Sequence, residues 1–201
     1  MNEENAIYQF KIALRGIRPP IWRRIQVPAH YSFWDLHVAL QDAMGWLDYH
    51  LHAFRVIDPD TGDAEEIGIP IDDPFYDEPP CLAGWEVPLA AYFIEPGTRV
   101  DYAYDFGDGW EHEVVFEKVD KRTKGQTYPR CPAGERACPP EDCGGVWGYE
   151  KLLQIMSDPS HEEYKSTIEW LGGTYEAEAF NPKNVRFDDP QKRWKNAFGD
   201  R

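Results

Sequence analysis

The sequence predicts an α+β fold: a β-grasp-like mixed sheet (ββαβ plus a long hairpin) packed on one helix and followed by a C-terminal helical extension. Three observations carry that expectation. From Tyr104 to Glu117, apolar residues recur at every second position on both sides of an Asp- and Gly-rich turn, the mark of two half-buried strands joined in a hairpin. Ser32 and Asp35 stand where a capping serine and its returning acid open a helix. Beyond Gly145 the apolar spacing becomes helical. The order strand, strand, helix, strand and later hairpin is that of β-grasp folds, an architectural analogy that carries no function by itself.

Each element has a local cause. Tyr8, Phe10, Ile12 and Leu14 alternate with Gln9, Lys11 and Ala13, giving a first strand over Ala6 to Arg15. Ile21, Arg23, Ile25 and Val27 give the second, across a connection marked by Gly16 and Pro19-Pro20. The helix is expected over Phe33 to Met44, with Tyr31 packing on Leu36 at its start. Its apolar stripe reads Leu36, Ala39, Leu40, Ala43 and Leu47, and Gly45 is its stop. A third strand reads from His50 to Val56, with His50, His52, Phe54 and Val56 on one face.

Glu65 to Glu86, rich in Asp, Glu and Pro, reads as a long acidic loop, and Leu89 to Ile94 as a short lead into the hairpin. In the hairpin Val100, Tyr102, Tyr104 and Phe106 share a face that Trp110, His112, Val114 and Phe116 continue, while Glu111, Glu113 and Glu117 point to solvent. Asp105 and Asp108 accept from local amides in such a turn, and Gly107 and Gly109 free its backbone. Lys121 to Gly145 reads as a loop. Helices follow around Val146 to Met156 and Ser160 to Leu171, the second ended by Gly172-Gly173, then a last short helix in a tail anchored by Phe180, Phe187, Trp194 and Phe198.

The 201 residues read as one domain, 1–120 forming the sheet-and-helix core and 121–201 a Cys-containing loop and helical extension. A formal charge of -15, from 21 basic and 36 acidic residues, repels phosphate backbones, so direct specific binding of duplex DNA is not expected. The short basic cluster Lys118, Lys121, Arg122, Lys124 and Arg130 is interrupted by Asp120 and preceded by Glu117. No apolar run approaches the roughly 20 residues of a membrane helix. The acidic start, Met1 to Asn5, is unlike a signal peptide, so a cytoplasmic location is expected. Three of the four cysteines fall between Cys131 and Cys143, a crowding that suits a reduced compartment and metal ligation better than a disulfide framework.

Several ordered segments, YDFGDGWEH (Tyr104 to His112), CPPEDCGGVWGYEKLL (Cys138 to Leu153), DPSHEEY (Asp158 to Tyr164) and WLGG (Trp170 to Gly173), resemble the plasmid pRiA4b ORF-3-like family. Ile21-Trp22-Arg23-Arg24 and His50-Leu51-His52-x-Phe54 add to the resemblance, which covers nearly the whole chain. It implies an α+β domain found on plasmids and beside insertion elements, some members bearing a resolvase-like label, with no assigned reaction. The nucleophilic serine with surrounding arginines that a serine recombinase needs has no counterpart in this sequence, so that chemistry is not carried over.

Three constellations bear on function. Cys131-x6-Cys138-x4-Cys143 offers three thiolates, with His161 or His112 as a fourth ligand, for a structural zinc; free thiols are the competing reading. Asp105, Asp108 and His112 are candidate catalytic residues, since two carboxylates and an imidazole bind a divalent ion or activate water. Alternation places His112 on the Trp110 and Phe116 face, so a core or rim histidine competes with that role. His50, His52 and Trp110 are candidate binding residues, the two histidines projecting from one strand face. His161-Glu162-Glu163 lacks the second histidine of a metalloprotease helix, position 165 being Lys165. Two functions follow. One is a non-enzymatic binding or adaptor module whose acidic surface recognises a basic protein or peptide; the other is a metal-dependent, hydrolytic enzyme using the Asp/His cluster.

Overall fold

In the computed structural model, which describes residues 5–70 and 81–199, the opening hairpin is β1 (Ala6–Leu14) paired antiparallel with β2 (Trp22–Pro28). The second hairpin, β6 (Arg99–Tyr104) and β7 (Trp110–Lys121), joins it because β7 pairs with β6 on one side and with β1 on the other. β3 (His52–Ile57), β4 (Ala64–Gly68) and β5 (Leu82–Ala83) extend the sheet beyond β6, and β8 (Arg130–Glu135) lies beyond β2. The order is β5-β4-β3-β6-β7-β1-β2-β8, with β4 and β5 parallel and the other pairs antiparallel. The chain is therefore α+β: an eight-stranded mixed sheet with four helices among the described residues.

Helix α1 (Phe33–Met44) has the predicted ends. Ser32 Oγ accepts from Asp35 N at 3.2 Å, Asp35 Oδ2 accepts from Ser32 N at 2.9 Å, and Gly45 stops the helix at φ +99°, where a side chain would be strained. Leu36, Ala39 and Leu40 of α1 share one buried cluster with Phe10, Ile25, Phe54, Tyr102, Val114 and Phe116. The period-2 pattern thus aims one face of the sheet at the helix, each fully buried large side chain contributing about 1.5–3 kcal/mol. Helices α2 (Gly145–Ser157), α3 (Tyr164–Leu171) and α4 (Pro190–Phe198) follow. Arg193 of α4 reaches Asp42 of α1 at 2.7 Å, and Phe198 packs edge-on against Trp34. Among the described residues no helix is long and apolar enough to cross a membrane.

The structure departs from the sequence expectation where local pattern meets a bend or an edge. Leu47 lies beyond α1 and is exposed, and Phe106 sits in the hairpin turn, exposed, not on the core face. Asp48 takes φ +61°, so the third strand begins at His52 and leaves His50 outside it. The stretch Glu65 to Glu86 holds most of β4, which exposes Glu66, half-buries Glu65 and buries Ile67, and β5; its middle, residues 71–80, lies outside the described residues. Lys121 to Gly145 contains β8, an edge strand whose Pro132 breaks no ladder on the open side. The helix expected from Ser160 starts at Tyr164, after turns closed by Asp158 and His161.

Candidate functional site

Three segments meet where β3 begins and β6 turns into β7. In the turn, Asp105 adopts φ +54°, a conformation Asp tolerates because its side chain bonds nearby amides. Its Oδ1 accepts from Gly107 N at 3.0 Å and Asp108 N at 3.2 Å, and its own amide donates to Leu51 O at 3.0 Å. That leaves Oδ2 to face its neighbours. The segment before α2 docks on the same turn: Gly144 N donates to Asp108 Oδ2 at 3.0 Å, and a Cβ on Gly145 would stand 2.2 Å from Asp108 O. The segment between α1 and β3 completes the arrangement. Trp46 Nε1 donates to Pro139 O at 3.0 Å, Leu47 N to Glu141 Oε1 at 2.7 Å, and Tyr49 N to Tyr104 Oη at 3.1 Å. Tyr104 Oη donates in turn to Glu141 Oε1 at 3.1 Å; burial and that carboxylate push its pKa up, so it remains a neutral donor.

These bonds put His50 among carboxylates. Its Nε2 lies 3.2 Å from Asp142 Oδ1, 3.6 Å from Asp105 Oδ2 and 4.0 Å from Glu141 Oε2. The Nε2 atom is sealed from solvent and makes no hydrogen bond. One ligand atom each from His50, Asp105 and Asp142 lies within 4.8 Å of the others. The side chains of Asp105 and Glu141 are 8% and 14% exposed, that of Asp142 66%, so the group opens to solvent on one side only. An imidazole with two or three carboxylates suits zinc, manganese and related divalent ions better than softer, thiolate-seeking ones.

Of the residues singled out in sequence, Asp105 and His50 enter this group. Asp108 stands beside it, spending Oδ2 on the start of α2. His112 does not join: it is fully buried, with Nδ1 3.2 Å from Tyr102 O and its ring against Trp46, and burial pushes its pKa down to about 4. The core reading of that histidine holds. His52 also parts from His50, because alternation applies only inside the strand; it is buried and stacked on His37. Trp110 is fully buried beside Trp46, in the core.

The cysteines do not converge either. Cys131 Sγ donates to Ala133 O on β8, and Glu163 N donates to His161 Nδ1 at 3.1 Å. Burial pushes the Cys131 and Cys138 thiols up and that of Cys143 up to about 12, which keeps them protonated as free groups. Among the described residues the group of three or more His, Cys, Asp or Glu with ligand atoms at metal-site spacing is His50, Asp105 and Asp142, and not Cys131, Cys138, Cys143 and His161. Sequence reasoning missed Glu141 and Asp142, reading Lys121 to Gly145 as a loop; Asp142 takes φ +54° in a turn there. A cleft of about 490 Å³ between Trp34, Trp85 and Trp194 contains none of these residues.

The chain is similar to known proteins along most of its length. A family model described as plasmid pRiA4b ORF-3-like protein matches residues 6–184. The uncharacterized protein y4hQ of Sinorhizobium fredii (strain NBRC 101917 / NGR234) is 33% identical over 192 residues, covering 94% of each chain. The crystal structure of MM3350, a protein of unknown function from Methanosarcina mazei Go1, superposes with a TM-score of 0.81 at 44% identity, covering 91% of this chain and 99% of that one.

Proposed function

Because the chain belongs to the plasmid pRiA4b ORF-3-like family, whose two relatives above bear no stated activity, we propose its function from its own geometry: a binding module that holds a divalent cation between His50, Asp105 and Asp142. One observation carries the reading. His50 Nε2 is shut off from water, has no hydrogen-bond partner, and faces three carboxylates within 4.0 Å. A neutral imidazole there would turn a lone pair toward negative charge; a divalent ion would satisfy the nitrogen and the carboxylates together. Glu141 acts behind the ligands, tying Leu47 N and Tyr104 Oη to the same place, as outer partners orient ligands in metal sites. The β-grasp-like reading of the core belongs to the same proposal and is supported by the ββαβ order and the packing of α1 on the sheet.

Metal analysis after equilibration with Zn²⁺ or Mn²⁺ tests this. About one ion per chain is expected, lost in His50→Ala and in Asp105→Asn while both variants stay folded. Uptake that ignores His50 but vanishes when Cys131, Cys138 and Cys143 become serine would restore the thiolate zinc. No uptake at all would overturn the cation site.

A second reading, the metal-dependent hydrolase, is favoured by one feature: three protein ligands leave a tetrahedral ion an open position, the arrangement catalytic zinc needs. Hydrolysis of an activated ester by the zinc-loaded protein, absent in Asp105→Asn, would support it. The same slow rate in both would leave the binding module.

A further inference from the structure

We infer that the surface around His50 is a docking face for a basic peptide segment that carries apolar side chains. This rests on the binding-module reading and names its partner. Nine large hydrophobic side chains are exposed among the described residues, and five of them, Leu47, Tyr49, Leu51, Phe106 and Trp147, lie in just three short segments: 47–51, 104–108 and 141–147. Those are the segments that build the His50 group. They are bonded to one another through Leu47 N to Glu141, Tyr49 N to Tyr104 Oη, Asp105 N to Leu51 O and Gly144 N to Asp108.

The exposed apolar side chains therefore stand on the same three bonded segments that carry the carboxylates. Trp147 is 82% and Tyr49 72% exposed, costly placements for aromatic rings unless something covers them. Neither side chain props the fold: Trp147 stands in the first turn of α2, whose buried positions are Tyr149, Leu152 and Ile155.

Charge selects the occupant. Asp105, Asp108, Glu141 and Asp142 belong to these segments, so a bound divalent ion still leaves the face negative. The chain as a whole carries -15, which opposes a second copy of itself on this face. A segment with arginine or lysine between apolar residues matches both features: the cation meets Asp142, whose side chain is 66% exposed, and its neighbours cover the aromatic and leucine side chains. Apolar anchors in such a setting dominate affinity, and charges steer and select.

The test measures fluorescence anisotropy with three labelled peptides, alternating arginine–leucine, glutamate–leucine and arginine–serine. Arginine–leucine should bind, glutamate–leucine should not, and arginine–serine should bind more weakly. In Phe106→Ser/Trp147→Ser, where both sites are exposed and the fold is retained, affinity should fall about tenfold or more. That variant should still take up metal, and His50→Ala should still bind peptide, so failure of the docking face and failure of the cation site are told apart. Unchanged affinity in the double variant, or equal binding of the glutamate–leucine peptide, overturns the inference. So does sedimentation showing wild-type dimers that the double variant abolishes, since the occupant would then be a second copy.

Discussion

His37 and His52 lie face to face, their ring centroids 3.4 Å apart and their planes within 8° of parallel. His37 is held at both nitrogens, by Tyr102 Oη and Asp48 Oδ1, each at 2.8 Å, whereas His52 Nδ1 is buried without a partner. A proton on His52 would sit unpaired against the neighbouring ring, so burial, and then His37, pushes its pKa well below the ordinary value. Burial likewise lowers His112 from 6.5 to about 4. The unfolded chain binds protons that these folded imidazoles refuse. Stability is therefore full above about pH 6.5 and is lost as pH falls toward 4, His112 alone accounting for about 3 kcal/mol. Urea midpoints should decline from neutral to acid pH, less steeply in His112→Gln. A flat wild-type profile would mean that the folded state accepts these protons.

Trp110 is fully buried at the start of β7, its ring 5.9 Å from Trp46. Truncation to alanine leaves a large cavity between the sheet and the segment after α1, and Trp110→Ala should cost about 3–5 kcal/mol. A melting temperature close to wild type would contradict its place in the core.

The hairpin that holds Trp110 was legible in sequence because period-2 alternation is a local property that burial enforces along a whole strand. So was α1, whose capping box and terminal glycine act within a few residues. β8 was not: Arg-Cys-Pro-Ala-Gly-Glu has no alternation, and it pairs along one side only, with β2. β4 also lacks alternation in Ala-Glu-Glu-Ile-Gly, although it pairs on both sides, with β3 and β5. Asp105 was read correctly as a turn residue, but its neighbours Asp142 and Glu141 come from a segment brought in by the close approach of Gly145 to Asp108. No local pattern reports such an approach.

That approach makes its own prediction. Gly145 combines φ +66° with a Cβ position 2.2 Å from the Asp108 carbonyl oxygen. An alanine there must lift the first turn of α2 off the hairpin turn, straining the backbone and weakening the Gly144 to Asp108 bond. Gly145→Ala should cost roughly 1–3 kcal/mol and loosen metal uptake through the displaced Asp142. Gly62, at φ +79° but with nothing within 4 Å of its Cβ position, bears only the conformational penalty and should cost less when changed to alanine. Equal losses in melting temperature would show that the contact with Asp108 does not matter.

The last prediction concerns nucleic acid. Among the basic residues that follow Glu117, Lys118 is paired with Asp120 at 2.9 Å, and Arg130 is bonded to Gln26 at 2.6 Å and Gln126 at 3.1 Å. Arg122 and Arg130 also lie over the Tyr128 ring, at 5.1 and 5.7 Å. Each would have to give up a partner to reach a phosphate, on a chain of charge -15. A protein that neutralises several phosphates gains affinity steeply as salt falls, log K changing by about -0.9 per contact on duplex DNA for each unit of log salt. Few cations of that cluster are free to contribute to that slope. The protein should therefore show no sequence-specific retention of duplex DNA at about 150 mM salt, and any low-salt binding should depend on Lys118 to Arg130. Sequence-selective submicromolar binding at that salt concentration, tighter than the roughly micromolar limit of non-specific complexes, would displace the peptide-docking reading in favour of a DNA-directed one.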